Sequence, residues 1–371
     1  MKLIKSLFFE YIPLLLNLIC ATLLLVSNIT PLINPEIDAD FAIFGLTFPY
    51  LLIANSLFIF YWLIKRKIWL ILPIFMFLLS VPNLNKILAF NFFTQKINKN
   101  DIKIMTYNVE IFGLYEWDKN TANRDEILQF LKKESPDIIC FQEFFSSDEE
   151  NYFTTTDTVK PLLNLPYHHE EYTHLIKGVH RFGIATFSKY PIVKQGLLTF
   201  ENDDNNVAIY SDLVINNDTI RVYNAHLSSI RLEDEDHYVL IGRGNGLIGK
   251  IKDFYRVYQR LKLAFEKRAT QIDIVLYSIM KSPHPVVFCA DINDSPISFA
   301  YNETKKYLKD AFIESGFGYG NTYIGKLPSF RIDYIFHDEK IKSKKFVKHP
   351  EKLSDHHAIS CYLDISGIAE N

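Results

Sequence analysis

The chain has 371 residues, of which 48% are hydrophobic and 22% are charged, with 40 basic side chains against 43 acidic ones. Its 30 Phe and 21 Tyr, set against only 14 Gly and 15 Pro, exclude a disordered or collagen-like chain. The length predicts about two or three domains.

Three uncharged stretches dominate the first hundred residues. They run from Tyr11 to Ile33, from Phe41 to Ile64 and from Ile68 to Leu84. Because about 20 helical residues cross a hydrocarbon layer about 30 Å thick, we predict three transmembrane helices, the third being the shortest. A cleaved signal peptide is the alternative for the first stretch, since Lys2 and Lys5 precede it. The length of that stretch and the second apolar stretch after it favour a membrane span.

The distribution of charge predicts the orientation of these spans. Lys2 and Lys5 flank the first span and residues 65–67 are all basic, whereas the loop between the first two spans is acidic. The amino terminus and second loop are therefore predicted to be cytoplasmic, and residues after the third span extracytoplasmic. This predicts an integral protein of the cell inner membrane that contacts the bilayer through residues 11–84. The cations that oppose this orientation are Lys86, Lys96 and Lys99.

The rest of the chain has the composition of a soluble domain. Residues 101–371 contain 32 basic and 39 acidic side chains. We divide the chain into a membrane anchor (1–90), a polar linker (91–101) and a globular domain (102–371). The four cysteines lie in apolar stretches far apart, so we expect small core residues rather than a zinc site or disulfides.

The globular domain alternates predicted strands with a few helices. Helices are expected over 122–133 and 254–280, the second stopped by Pro283 and Pro285. Mixed strands with few helices predict an α+β fold in which sheets pack face to face with helices outside. The predicted strands are 102–109, 137–141, 182–188, 207–215, 220–226, 286–290, 332–336 and 358–363.

Polar side chains stand where these strands end or begin. A rigid sandwich that presents acids, amides and histidines at strand tips is a framework for a catalytic pocket. Singly, each has a simpler interpretation: a solvated loop acid, an Asx turn at residues 291–293, a cap at 354–356, or Asp333 paired with Arg331. The side chains concerned are Asn108, Gln142, Glu143, Asn224, His226, Asp291, Asn293, Asp333, Asp355 and His356.

Together and in this order, these motifs resemble the endonuclease/exonuclease/phosphatase superfamily over residues 102–364. The resemblance implies a four-layer α/β/β/α sandwich, similar to deoxyribonuclease I, after about three transmembrane helices. Ala290 and Ile292 replace a Gly and a Phe of the family pattern, at supporting rather than polar positions. On a weaker match, Arg268 and Gln271 are expected to brace the sheet.

The resemblance also implies the chemistry. Glu143, Asn108 and Asp355 correspond to ligands of Mg²⁺, with Mn²⁺ as the alternative, and oxygen donors suit such hard cations. Asp291 would orient or deprotonate water, and Asn293 would hold the water or a phosphate oxygen.

Two histidines complete the implied site. Asp333 would orient His356, whose role as base or as phosphate ligand stays open, and His226 would donate to a nonbridging oxygen. The implied activity is divalent-metal-dependent hydrolysis of phosphodiester or phosphomonoester bonds.

The substrate stays open between nucleic acid and a phospholipid headgroup, and no obligate protein partner is evident. The acidic domain argues against extensive nucleic-acid contact, although residues 231–268 are locally basic. For that segment a solvated helix face is the simpler interpretation. Residues 168–171, His-His-Glu-Glu, are interpreted as a solvated or substrate-side segment rather than a metal site. The alternative function is a noncatalytic, membrane-tethered binding module on the same fold.

Overall fold

The computed structural model describes residues 2–93, 95–116, 122–149, 153–201, 203–230, 246–325 and 329–368, with side chains omitted at 2–10, 115–116 and 246–252. Within these ranges an amino-terminal helical bundle precedes a sandwich of two sheets. Arg243, from the locally basic segment, lies outside the described residues, as do the side chains of Lys250 and Lys252.

Three helices of the bundle are long and apolar enough to cross a membrane, over residues 11–32, 42–65 and 68–87. They pack against one another through a small core of Leu24, Phe48, Leu52 and Met76. Three long helices were expected here, and the third extends three residues beyond the stretch that charge alone delimits. The helices of the bundle are α1 (Lys2–Ile29), α2 (Pro35–Asp38), α3 (Ala42–Lys65) and α4 (Ile71–Ile87).

The remaining helices and strands form the globular domain. Its helices are α5 (Ala122–Glu134), α6 (Thr155–Leu163), α7 (Gly246–Met280), α8 (Phe299–Thr304) and α9 (Ala311–Ser315). Its strands are β1 (Leu88–Phe90), β2 (Ile102–Asn108), β3 (Ile138–Ser147), β4 (Tyr167–Ile176), β5 (His180–Ser188), β6 (Ile192–Thr199), β7 (Val207–Ile215), β8 (Asp218–His226), β9 (Val286–Asp291), β10 (Lys309–Asp310), β11 (Phe317–Tyr319), β12 (Asp333–His337), β13 (Lys342–Lys348) and β14 (Ile359–Asp364).

Two six-stranded mixed sheets make up the sandwich. Their strand orders are β10-β12-β9-β8-β7-β6 and β13-β14-β2-β3-β5-β4, while β1 and β11 form a separate two-stranded ribbon. Apolar side chains such as Ile104, Val222 and Val287 fill the space between the sheets, together with Cys140, Cys289 and Cys361. The described cysteines are all buried, as expected from their apolar settings.

Helices cover both outer faces of the sandwich. Ile127 and Leu131 of α5 pack on the β2-β3-β5 face, and Ile272 and Val275 of α7 pack on the β8-β9-β12 face. The layers are therefore helix, sheet, sheet and helix, which confirms the predicted α/β/β/α fold.

Several strands escaped prediction, and four of them, β4, β6, β10 and β13, lie at the edges of the sheets. Edge strands carry charged and polar residues that discourage pairing with other chains, which hides the apolar alternation. The His-Glu segment at 168–171 is one case: it was expected as a solvated or substrate-side segment but belongs to β4. Its alternation buries His169, whose Nδ1 lies 3.0 Å from Ser211 Oγ of the facing sheet.

The bundle docks on the sandwich through the loop between its first two spans. Asp40 accepts a 2.6 Å hydrogen bond from Tyr258 and pairs with Lys262, both on α7. Glu36 accepts a hydrogen bond from Thr270 on the same helix. The acidic loop is therefore held by polar side chains of the globular domain.

A second contact lies at the other end of the bundle sequence. Arg331 donates a 2.7 Å hydrogen bond to the carbonyl of Lys86, and Lys86 donates to Asn302 at 3.1 Å. Gly45 of α3 approaches so closely that a Cβ there would collide with the carbonyl oxygen of Ile297. The first loop and the end of the third span therefore lie on the side of the bundle that faces the globular domain.

Candidate active site

Strand register places three of the candidate residues in one row across the first sheet. His226 of β8 pairs with Asp291 of the parallel strand β9, and Asp291 pairs with Asp333 of the antiparallel strand β12. Strands β8 and β9 end here while β12 begins, so their polar tips meet at one edge of the sandwich. We call this edge the site edge.

A bulge in the second sheet supplies Glu143. The register of β3 on β5 shifts between Phe141 and Phe144, and Glu143 has a left-handed backbone with φ of +48°. Bulges of this kind redirect a side chain and occur next to active sites. Gln142 stays buried and donates to Asn224 at 2.7 Å, which ties the two sheets together beneath Glu143.

Asn108 connects the two sheets at the site. Its amide nitrogen donates to Asp291 at 2.9 Å and to Glu143 at 3.2 Å, and its Oδ1 accepts from the backbone of Glu110 at 3.0 Å. An amide oxygen has two lone pairs, so this one retains an acceptor position. Glu110 in turn accepts the backbone N–H of Asp355 at 2.9 Å.

His356 and Asp333 form a buried pair. His356 Nδ1 lies 2.9 Å from Asp333 Oδ2, and its Nε2 lies 3.9 Å from Asp291 Oδ2. Burial lowers the pKa of His356, but Asp333 and Asp291 outweigh it and hold this pKa well above its ordinary value. Asp333 therefore pairs with His356 and not with Arg331, which instead pairs with Asp310 at 2.7 Å.

His226 and Asn293 complete the row at the site edge. His226 Nε2 is buried without a hydrogen-bond partner among the described residues and lies 3.8 Å from both Glu143 and Asp291. Asn293 donates its side-chain amide to the carbonyl of Leu227 at 3.0 Å and its backbone N–H to Asp291 at 2.9 Å. Of the ten polar residues at the predicted strand ends, Gln142 and Asn224 are buried between the sheets. The structure brings the other eight together at the site edge, namely Asn108, Glu143, His226, Asp291, Asn293, Asp333, Asp355 and His356.

Negative charge accumulates in this small volume. Burial, with the charges of Glu110 and Glu143, raises the pKa of Asp355 to about 7, although His356 opposes the shift. Burial and the charge of Asp333 raise the pKa of Asp291 to about 6. Burial also raises the pKa of Glu110. Such mutual repulsion among carboxylates is relieved by a bound cation.

The donor set fits a hard divalent cation. Glu110, Glu143, Asp355 and Asn108 offer only oxygen, the ligand type that Mg²⁺ and Mn²⁺ prefer. Among the described acids and histidines, the grouping whose ligand atoms lie within 4.8 Å of one another is Asp291, Asp333 and His356. Since Asp333 and His356 already bond to each other, we consider the oxygen-only grouping the better fit.

Glu110 is a candidate site residue that sequence reasoning missed. It stands two residues after Asn108, beyond the end of β2, where strand alternation no longer predicts which way a side chain points. Its left-handed backbone, with φ of +48°, turns it back toward Asp355. The signal in the sequence is the short Asn-x-Glu spacing alone.

A cleft of about 370 Å³ opens beside Glu143 and His226. Asn206 is buried beside it, donates to the His226 carbonyl at 3.0 Å and leaves Oδ1 without a partner among the described residues. The cleft therefore offers polar groups next to the candidate residues and apolar walls farther out. Its apolar lining residues are Ile111, Phe144, Phe182, Ile184 and Val207.

Arg268 and Gln271 of α7 support the site edge from outside, as expected. Arg268 pairs with Asp294 at 3.2 Å and donates to the carbonyl of Ser228 at 2.9 Å. Gln271 accepts the N–H of Ser228 at 2.8 Å. These bonds fix the chain just beyond β8 and β9.

Fold and site together define the class of phosphoesterase folds built as a four-layer sandwich with acids, amides and histidines at one edge. The sequence model of the endonuclease/exonuclease/phosphatase family matches residues 105–356, and the chain belongs to this family. A second sequence model, described as a domain of unknown function, matches residues 6–87. No curated protein sequence matches the chain.

Solved structures show the same fold. A family protein from Leptotrichia buccalis is 17% identical, with a TM-score of 0.50 over 71% of this chain and 99% of its own. One from Beutenbergia cavernae is 16% identical, with a TM-score of 0.50 over 71% and 72%. The human nocturnin catalytic domain, solved with a bound sulfate anion, is 18% identical, with a TM-score of 0.50 over 73% and 96%.

Proposed function

We propose that the chain is a membrane-anchored, divalent-metal-dependent phosphoesterase that hydrolyses phosphodiester or phosphomonoester bonds. Residues 1–90 would form the anchor, 91–101 the linker and 102–371 the catalytic domain. The observation that carries the proposal is the convergence of Glu143, Asp291 and His356, from three separate parts of the chain, at one edge of the sandwich. Asn108 bonds to both Glu143 and Asp291, His356 Nε2 lies 3.9 Å from Asp291, and Glu143 lines the cleft. Membership in a family of phosphoester hydrolases, generally dependent on divalent metals, supports it.

Glu143, Asn108 and Asp355 would hold the cation, with Glu110 close enough to assist. The raised pKa of Asp355 and the oxygen-only donors support Mg²⁺ or Mn²⁺ at this position. A cation bound there would neutralise charge on the phosphate.

Asp291 and Asn293 would handle the attacking water. The Asp291 carboxylate is fully buried and fixed by Asn108 and by the backbone of Asn293, so it can accept a proton from a water at a defined position. The Asn293 side chain would hold that water or a phosphate oxygen. Burial raises the Asp291 pKa to about 6, which makes the carboxylate a stronger base than an ordinary aspartate.

The histidines would act on the phosphate. Asp333 holds Nδ1 of His356 and directs Nε2 toward Asp291, where His356 serves as base or as phosphate ligand. His226 Nε2 has no hydrogen-bond partner among the described residues and can donate to a nonbridging oxygen as charge develops.

Hydrolysis of bis(p-nitrophenyl) phosphate by the full chain in detergent tests the proposal. We expect turnover with Mg²⁺ or Mn²⁺, none with EDTA, and a loss of about 10²–10⁴-fold in kcat for Glu143→Gln and for His356→Asn. The matched controls are Glu149→Gln and His174→Asn, which alter exposed residues outside the site.

Two results would contradict the proposal. Turnover that persists in EDTA would show that the reaction needs no divalent metal. Turnover unchanged by both site variants would show that these residues do not form the active site. No turnover of any phosphate ester by a folded chain would instead support the noncatalytic binding module. Offering plasmid DNA, RNA, sphingomyelin and phosphoinositides side by side would then separate nuclease activity from action on phospholipid headgroups.

A further inference from the structure

An exposed aromatic surface lies immediately after the third apolar helix. It consists of the β1–β11 ribbon and the two residues after Asn91, and we call it the aromatic ribbon. Large aromatic side chains are rarely this exposed together on a soluble surface. The exposed fractions are 59% for Phe90, 72% for Phe92, 92% for Phe93, 62% for Phe317 and 43% for Tyr319.

The ribbon is an ordered surface. Phe90 of β1 pairs with Phe317 of β11, and Leu88 pairs with Tyr319, so these side chains share one face. The ring of Phe92 lies 5.3 Å from that of Phe317 and 6.4 Å from that of Phe90. The rings of Phe90, Phe92 and Phe317 therefore form one continuous apolar face.

The position of the ribbon places it beside the membrane-spanning helices. Strand β1 begins at Leu88, directly after α4 ends at Ile87. Tyr319 shares a small cavity with Gly45 and Pro49 of α3. Pro49 is in the second turn of α3, so the ribbon lies level with residues that belong to the second span by length and composition.

The same side of the sandwich carries the site edge. Asp294 to Ile297 follow directly after Asn293, and Ile297 contacts Gly45 of α3. Arg331, two residues before Asp333, holds the carbonyl of Lys86 at the end of α4. The loop after β9 and the loop before β12, which both adjoin the site edge, therefore contact the bundle.

We propose that the aromatic ribbon inserts into the interfacial region of the lipid bilayer and holds the site edge of the sandwich against the membrane surface. The occupant of this apolar face is lipid, because the face follows directly after the apolar helix α4 and lies level with residues of the neighbouring apolar helix α3. Aromatic rings concentrate at membrane–water interfaces. Exposed Lys96 and Lys99, which follow the ribbon, are placed to meet anionic headgroups. The inference rests on the membrane anchoring in the proposed function.

A fluorescent probe on single introduced cysteines tests the inference in the full chain. The native cysteines among the described residues are buried, so unaltered protein gives the labelling background. The protein is reconstituted into nanodiscs of phosphatidylethanolamine and phosphatidylglycerol, with and without a doxyl-labelled lipid that quenches nearby probes. Labels are placed at Phe93→Cys and Phe317→Cys on the ribbon, Leu57→Cys on α3 and Val193→Cys on the distant edge strand β6.

We expect doxyl lipid to quench the probes at 93 and 317 at least about threefold more than the probe at 193, because only the ribbon lies in the interface. Leu57 is 64% exposed on α3, and Val193 is 63% exposed on edge strand β6, far from the bundle. Their probes therefore give the quenching expected in lipid and in water, respectively.

The outcomes separate the two claims. Quenching at 57 without quenching at 93 and 317 would overturn the inference and leave the anchor in place. No quenching at 57 would overturn the anchoring, and the inference with it. Protection of the ribbon probes from aqueous iodide without lipid quenching, in a protein that elutes as a dimer, would assign the face to a second copy and also overturn the inference.

Discussion

Asp333 shows how the partner of one side chain decides between a structural and a catalytic interpretation. In the sequence it stands two residues from Arg331, which could have neutralised it. In the structure Arg331 is satisfied by Asp310 at 2.7 Å, and Asp333 lies 2.9 Å from His356. Neighbours in the sequence cannot reveal this, because the partner of Asp333 comes from the segment that precedes β14.

Replacing Asp333 by Asn should reduce kcat on bis(p-nitrophenyl) phosphate by about 10²–10⁴-fold, because His356 loses the carboxylate that orients it and supports its charge. The double variant should lose little more kcat than Asp333→Asn alone, because the two residues act as a unit. Steady-state kinetics of the two single variants and the double variant check both statements.

Glu339→Gln alters an exposed residue just after β12, the strand that begins with Asp333. It serves as the control for Asp333→Asn and should leave kcat unchanged. Independent, multiplicative losses in the double variant would contradict the pairing of Asp333 with His356.

Sequence reasoning predicted eight candidate site residues, but it predicted neither Glu110 nor the backbone conformation that orients Glu143. Glu143 and Glu110 both have left-handed backbones, with φ of +48°. Neither is a glycine or asparagine, the residues that signal such a conformation. Their orientation depends on packing against another strand, so local sequence carries little information about it.

At the level of elements, edge strand β4 is held by a buried histidine. His169 Nδ1 lies 3.0 Å from Ser211 Oγ on β7, and its Nε2 lies 3.7 Å from Glu171. Burial lowers the pKa of His169 to about 4, despite an opposing hydrogen bond that the imidazole donates to the backbone of Tyr210. The folded state therefore holds this imidazole neutral.

This burial predicts a pH dependence of stability. The folded-state pKa of His169 lies below its ordinary value of about 6.5, so its contribution is complete above pH 6.5 and is lost as the pH falls toward 4. His169→Gln should flatten the loss of unfolding free energy over this range, by up to about 3 kcal/mol. Thermal or urea unfolding in detergent at a series of pH values measures it.

His174→Gln, an exposed change on the same strand, is the control for this pH dependence and should keep the wild-type slope. Identical slopes for wild type and His169→Gln would show that His169 is protonated in the fold without cost.

At the level of the whole molecule, the sequence predicted the three apolar helices and the central strands because both carry strong, continuous apolar patterns. It missed the edge strands β4, β6, β10 and β13, whose polar residues mask the alternation. It also gave no sign that the bundle docks on the sandwich. That contact depends on single residues such as Gly45 and Asp40, distant in sequence from their partners.

Gly45→Leu tests whether this docking supports the site. A side chain at position 45 would collide with the Ile297 carbonyl, four residues after Asn293, and overpacking of this kind costs about 1–3 kcal/mol. We expect a lower melting temperature and a lower kcat while the protein still partitions into membranes.

Ile53→Ala, on the exposed face of the same helix, is the control for Gly45→Leu and should change neither the melting temperature nor kcat. Unchanged kcat and melting temperature in Gly45→Leu would mean that bundle and sandwich do not depend on this contact.

The position of a bound cation tests the central claim most directly. Crystals of the full chain grown with Mn²⁺ would reveal the ion by its anomalous scattering. We predict one strong peak about 2.0–2.3 Å from a carboxylate oxygen of Glu143, on the side that faces Asn108 and Asp355. A peak between Asp333 and His356, or no peak at the site edge at saturating Mn²⁺, would contradict it.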